Sequence, residues 1–200
     1  MSARLRMVRL LVGLGALASL GLVEPAQARF VVTLEQIGPN VVATGSGSIN
    51  PTGLTLTISG GVSKTPGMNP GTGNVVLGPL SGGSIDLYSG ITGPTNFGIF
   101  VPTSISSGNG DVAGIEGYFN NLMVPAGYVS GSALSDSATY DSATFASLGV
   151  DAGTYTWTWG SGANADSFVL ETVPEPASLA LFGTGLLGLG LIRPRRRKGV

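Results

Sequence analysis

Few side chains in this chain can do chemistry. It holds no histidine and no cysteine, which excludes an imidazole-dependent triad, a thiolate nucleophile, an iron–sulfur cluster and a disulfide framework together. A Ser-Lys dyad would have to use Lys64, in a Gly- and Pro-rich segment (60–83) that offers no rigid holder for nucleophile and base. For a paired-carboxylate glycosidase the nearest pairs in sequence are Asp136 with Asp141 and Asp111 with Glu116. Their small polar neighbours would not raise a carboxyl pKa by desolvation. Asn109-Gly110-Asp111, with Asp136 and Asp141, supplies the hard oxygen atoms that calcium takes, but without the twelve-residue calcium-loop spacing. Solvated turn carboxylates that keep a surface soluble account for the same residues. No catalytic residue, cofactor or metal is expected.

Aromatic side chains are the other candidates. In Thr154-Tyr155-Thr156-Trp157-Thr158-Trp159 a period of two puts the three rings on one face and the three threonines on the other. Exposed, those rings would be a sugar-stacking platform; buried, they are the inner face of a sheet, which is the expectation here. The preceding Leu148-Gly149-Val150-Asp151-Ala152-Gly153 leads into Tyr155 in a way similar to the tyrosine corner of immunoglobulin-like sandwiches, where the hydroxyl bonds to backbone just upstream.

The elements that must position these residues are short strands. Alternation marks 30–35, 54–58, 85–88, 97–101 and 167–170 as strands. Turn chemistry separates them: Asn50-Pro51-Thr52-Gly53, Gly60-Gly61, Pro66-Gly67, Asn69-Pro70-Gly71, Ser81-Gly82-Gly83, Gly108-Asn109-Gly110-Asp111 and Gly160-Ser161-Gly162. One short helix is expected near 142–148, capped by Asp141 or Ser142. Segment 60–83 reads either as two strands with loose connections or as an exposed loop. The fold class is all-β, an antiparallel β-sandwich of immunoglobulin-like or jelly-roll-like kind.

Both ends of the 200-residue chain differ from this middle. Arg4, Arg6 and Arg9 precede an uncharged run over 10–23, and Ala26-Gln27-Ala28 supplies small residues where signal peptidase reads. Residues 1–28 are therefore expected to be a secretory signal peptide, with cleavage after Ala28 leaving Arg29 as the new N-terminus. Residues 29–172 form the exported domain. Only Arg29 and Lys64 are basic there against nine acidic residues, a net charge of about −7 that repels phosphate backbones and argues against nucleic acid as a partner. Serine and threonine are abundant enough for O-glycosylation, whereas the sequon Asn50-Pro51-Thr52 is disabled by its proline.

At the other end, Pro174-Glu175-Pro176 interrupts the chain and starts an uncharged run over 177–192. As a helix this run is about 24 Å long, slightly short of a bilayer core of roughly 30 Å. The stems of Arg193 and Arg195 lengthen it, and Arg196, Arg197 and Lys198 with them hold that end in the cytoplasm. Gly183-Thr184-Gly185-Leu186-Leu187-Gly188 matches the dinucleotide-binding fingerprint in letters. It lacks the preceding strand and following acid, so it reads as small residues in a membrane helix. The order of Pro-Glu-Pro, short apolar helix and Arg-rich end over 173–198 resembles the PEP-CTERM sorting signal of Gram-negative bacteria. That resemblance implies an exported protein, anchored in the inner membrane until an exosortase recognises Pro174, Glu175 and Pro176 and processes the tail. It implies a non-catalytic surface or matrix protein associated with exopolysaccharide. A carbohydrate- or calcium-binding adhesin module is the alternative.

Overall fold

The computed structural model describes residues 29–173. The expected signal peptide with Ala26 and Ala28, the Pro174-Glu175-Pro176 motif, the helix expected over 177–192 and the basic cluster after it lie outside the described residues. Among those described, no helix is long and apolar enough to cross a membrane.

Thirteen strands, in chain order, are β1 (Arg29–Ile37), β2 (Asn40–Ser48), β3 (Thr55–Lys64), β4 (Gly67–Asn69), β5 (Asn74–Leu77), β6 (Gly83–Ser89), β7 (Thr103–Ser104), β8 (Ser107–Gly110), β9 (Ala113–Glu116), β10 (Asn121–Pro125), β11 (Ala133–Tyr140), β12 (Thr154–Trp159) and β13 (Asp166–Val173). They form two sheets, ordered β12-β13-β1-β2-β11-β8 and β3-β6-β10-β9-β5-β4-β7. The described chain is all-β, with one short helix, α1 (Phe145–Leu148), beside short 3₁₀ turns.

Alternation builds the first sheet. Phe30, Val32 and Leu34 of β1 and Phe168 and Leu170 of β13 face inward and are fully buried. Pairing is antiparallel throughout both sheets except between β1 and β13, which run parallel in register from Arg29 beside Ser167 to Glu35 beside Val173. That pair departs from the purely antiparallel expectation. The whole domain lies between the two strands, so the long crossover a parallel pair needs is already present.

The central strands of the second sheet, β5, β9 and β10, are buried on both faces. Val75, Leu77, Ala113, Ile115, Leu122 and Val124 join the main core, while the alternate residues Val76, Val112 and Met123 pack with Ile85 in a second cluster behind the sheet. Curling of the sheet encloses that cluster. β3 and β4 stand five positions apart in the strand order, which would be about 24 Å if the sheet were flat. Lys64 ends one strand and Gly67 begins the other, a reach of roughly 11 Å at most. The edges must therefore be drawn together. The device that bends β3 is a bulge at Gly60 and Gly61, with φ +61° and +95°, where the register shifts between Ile58 and Val62. Asp86 holds it in place: Oδ1 accepts from the Gly60 amide at 2.8 Å and Oδ2 from the Gly127 amide at 2.9 Å.

Several expectations change accordingly. Gly60-Gly61 sits inside a strand rather than ending one, and segment 60–83 contains β4 and β5 with buried Met68, Val75, Val76 and Leu77. Gly108-Asn109-Gly110 belongs to edge strand β8, where the absence of a side chain at Gly108 lets the chain pass close to the carbonyl oxygens of Gly78 and Ser137. Residues 97–101 are not a strand. The Phe97 amide donates to Pro70 and the Ile99 amide to Gly149 (2.9 Å each), so their partners lie on two different elements and no ladder forms. Helix α1 is capped by Thr144 instead of Asp141 or Ser142: Thr144 Oγ1 accepts from the Ser147 amide at 3.1 Å, and Ser147 Oγ accepts from the Thr144 amide at 2.8 Å.

Candidate functional site

The aromatic strand is structural. Trp157 is fully buried and Trp159 nearly so, Tyr155 is half-buried, and Thr154, Thr156 and Thr158 are exposed. Each indole donates its N–H, Trp157 to the Pro94 carbonyl at 2.7 Å and Trp159 to the Asn50 carbonyl at 2.8 Å, so neither ring leaves an unpaired donor in the core. Trp157 packs edge-on against Phe168. Tyr155 closes the expected corner, its hydroxyl donating to the Asp151 carbonyl at 3.2 Å.

The carboxylates do not assemble as catalytic pairs. Asp136 and Asp141 are five residues apart along and just beyond β11, about 17 Å in extended chain. The same count separates Asp111 from Glu116 at β9. Both spans exceed the roughly 5–9.5 Å that glycosidase carboxyl groups use. Pairing of β8 with β11 does bring Asp111 near Asp136, but Asp111 Oδ2 accepts from the Ser135 amide at 2.9 Å. Asp141 is exposed at the far end of the strand. Among the described residues no three carboxylates gather into a metal site.

Asp136 itself occupies a core position. Leu134, Asp136, Ala138 and Tyr140 all face inward from β11, and a side chain at Gly45, its partner on β2, would collide with the Asp136 carboxyl. Neither carboxyl oxygen has a hydrogen-bond partner. Burial, with a smaller contribution from the Asp111 charge, pushes its pKa up to about 8. Burial likewise raises Asp166, although the Asn50 amide at 2.5 Å and the Ser167 amide at 2.6 Å oppose the shift by bonding the charged form.

A polar row runs across the outer face of the curled sheet. Asn69 on β4 stands beside Asn74 on β5, Asn74 beside Glu116 on β9, and Glu116 beside Asn121 on β10. Asn74 and Asn121 donate their amides to the two Glu116 oxygens at 3.2 and 3.4 Å. Lys64, arriving on the strand drawn over from the other edge, closes the arrangement with an Nζ to Glu116 Oε1 distance of 2.5 Å. The Lys64 seen in the sequence as a dyad base is thus engaged by Glu116. Beside this row lies a cleft of ≈ 310 Å³ between the β3–β4 connection and β7. Sequence reading passed over the asparagines because each sits in a turn-like tripeptide, and their alignment exists only across the ladder.

Comparison with known proteins adds to this at one place. A family model described as the PEP-CTERM protein-sorting motif matches residues 172–197. The chain carries a PEP-CTERM sorting motif. No curated protein and no solved structure matches the chain. The PEP-CTERM match implies an exported protein handled at the membrane by an exosortase. It begins inside β13, whose Thr172 is buried and takes the Gly153 amide on its hydroxyl at 2.6 Å, so folded domain and PEP-CTERM motif are continuous.

Proposed function

We infer that this is a non-catalytic surface or extracellular-matrix protein, associated with exopolysaccharide. In this reading signal peptidase removes residues 1–28, the 177–192 helix holds the chain in the inner membrane, and an exosortase recognises Pro174, Glu175 and Pro176, with Arg193, Arg195, Arg196, Arg197 and Lys198 retaining the tail. The observation that carries it is the PEP-CTERM match beginning inside the last described strand of the β-domain. Replacing Pro174, Glu175 and Pro176 with alanine, in a host that makes the exosortase, should block processing and surface delivery while export past the signal peptide continues. Unchanged processing would overturn the assigned role of the motif.

The carbohydrate-binding form of the alternative is favoured by one observation, the polar row beside its cleft. The calcium-binding form has no gathered carboxylates behind it among the described residues.

A further inference from the structure

We propose that the end of the β-domain from which the chain leaves toward the sorting motif rests on a lipid surface, with Ile37, Ile99 and Phe100 seated among the headgroups. The proposal rests on the membrane anchoring of residues 177–192 inferred above. Strand register puts the three residues at that end. Glu35 stands beside Val173 where β1 and β13 run parallel, so Ile37, further along β1, lies past the point where β13 ends. The segment leading to Ile99 travels the same way: Thr92 bridges Thr158, the Phe97 ring packs on Tyr155 and Gly98 bridges Val150. That course is antiparallel to β12, which is itself antiparallel to β13. Helix α1 joins the two parts of this end. The Phe145 amide donates to Gln36 Oε1 at 3.4 Å, the Val150 amide to the Phe145 carbonyl at 2.9 Å and the Ile99 amide to the Gly149 carbonyl at 2.9 Å.

These side chains face solvent. Ile37, Ile99 and Phe100 are 55%, 65% and 67% exposed, and Val173 is 40% exposed. Single exposed apolar side chains are ordinary on a protein surface, but a group of them at the one end that meets the tail marks an interaction surface. The length of chain beyond Val173 decides what covers it. From Val173 to Ala177, where the uncharged run begins, the backbone spans at most about 14 Å. The polar layer of a bilayer takes up roughly 5–8 Å of that reach, so an anchored run keeps this end within about 10 Å of the headgroups. Charge then selects the lipid. Glu35, Asp141 and Asp151 are exposed carboxylates at this end, and the two basic residues of the described chain, Arg29 and Lys64, are paired with Glu171 and Glu116. Nothing here attracts anionic lipid, so the seating is apolar and suits a zwitterionic headgroup layer.

The test uses the full chain in phosphatidylcholine vesicles that contain nitroxide-headgroup lipid. Because the chain has no cysteine, a single fluorophore can be placed by Ala146→Cys, exposed on α1, or by Ala163→Cys, exposed on the turn before β13 at the opposite end. Lipid quenching should be strong at position 146 and near background at 163. Ile99→Ser combined with Phe100→Ser should lower the ratio of seated to free protein read at 146 about tenfold or more. Ile37→Ser, on a different element, should lower it too, whereas Val129→Ser, removing an exposed apolar residue before β11, should leave it unchanged. Equal quenching at both labels overturns the seating, as does quenching at 146 that survives the loop and hairpin substitutions, since the tether alone would then explain it. Quenching at 146 that appears only when the chain is diluted in the bilayer would give this end to a second copy and also overturn the seating. The two readings fail separately. A chain that does not float with the vesicles overturns the anchoring and the seating built on it; a chain that floats with position 146 unquenched overturns the seating alone.

Discussion

At the residue scale, two side chains make opposite demands on the core. Trp157 is wholly enclosed and its indole N–H is bonded, so Trp157→Ala removes a large apolar group and orphans the Pro94 carbonyl. It should lower stability by about 3–5 kcal/mol, a large part of the ~5–15 kcal/mol typical of a domain, whereas Thr156→Ala on the exposed face should change a thermal melt little. Asp136 does the reverse: it is an acid kept where its charge is unwelcome. Its folded pKa of about 8 lies above the ordinary carboxylate value, so between roughly pH 4 and 8 the native state holds a proton that the unfolded chain has released. Stability therefore falls as pH rises through that window, and the full cost, on the order of 5 kcal/mol, is reached above pH 8. Denaturation midpoints at pH 5 and pH 9 should differ in the wild type, and Asp136→Asn should bring them together. A slope of the same size in the variant would place its origin elsewhere.

At the scale of elements, the bend in β3 is where sequence and fold part most instructively. Asp86 ties the Gly60 and Gly127 amides, so Asp86→Ala should cost about 2–4 kcal/mol, given the strength of bonds to charged acceptors. It should also speed hydrogen exchange at those two amides before others. Strands with one buried face, β1 and β12, were legible because their alternation survives in the letters. Strands β9 and β10 were missed, and β5 was left as one of two readings of its segment, because they are buried on both faces: Val75-Val76-Leu77 and Leu122-Met123-Val124 carry no period of two to read. β2 escaped notice for another reason, since its inward positions shrink from Val41 to Ala43 to Gly45. Glycine, read as punctuation, served at Gly60, Gly61 and Gly108 to bend or crowd a strand that continues. The sorting motif was fully legible because its parts are contiguous; the polar row was not, because its members, from Asn69 through Asn74 and Glu116 to Asn121, are joined only by strand pairing.

The whole molecule is organised by its first and last strands. β13 lies between β12 and β1, one strand in from the edge of its sheet, so that sheet is incomplete until the residues adjoining the sorting motif have been translocated. Signal cleavage after Ala28 would begin the mature chain at the first residue of β1, where Arg29 pairs with Glu171 of β13 at 3.3 Å. Mass spectrometry of the protein from an exporting host should find Arg29 as its N-terminus. Recovery of residues 1–9 on a cytoplasmic product would overturn the export reading.

The parallel course of β1 and β13 also sets how the domain answers force. Arg29 and Val173 leave the sheet at opposite ends of neighbouring strands, so tension applied between the two ends of the domain runs along the strands rather than across them. Such a load shears the seven-residue register with β1 together with the six-residue register with β12. The ladder bonds then resist together instead of parting one at a time.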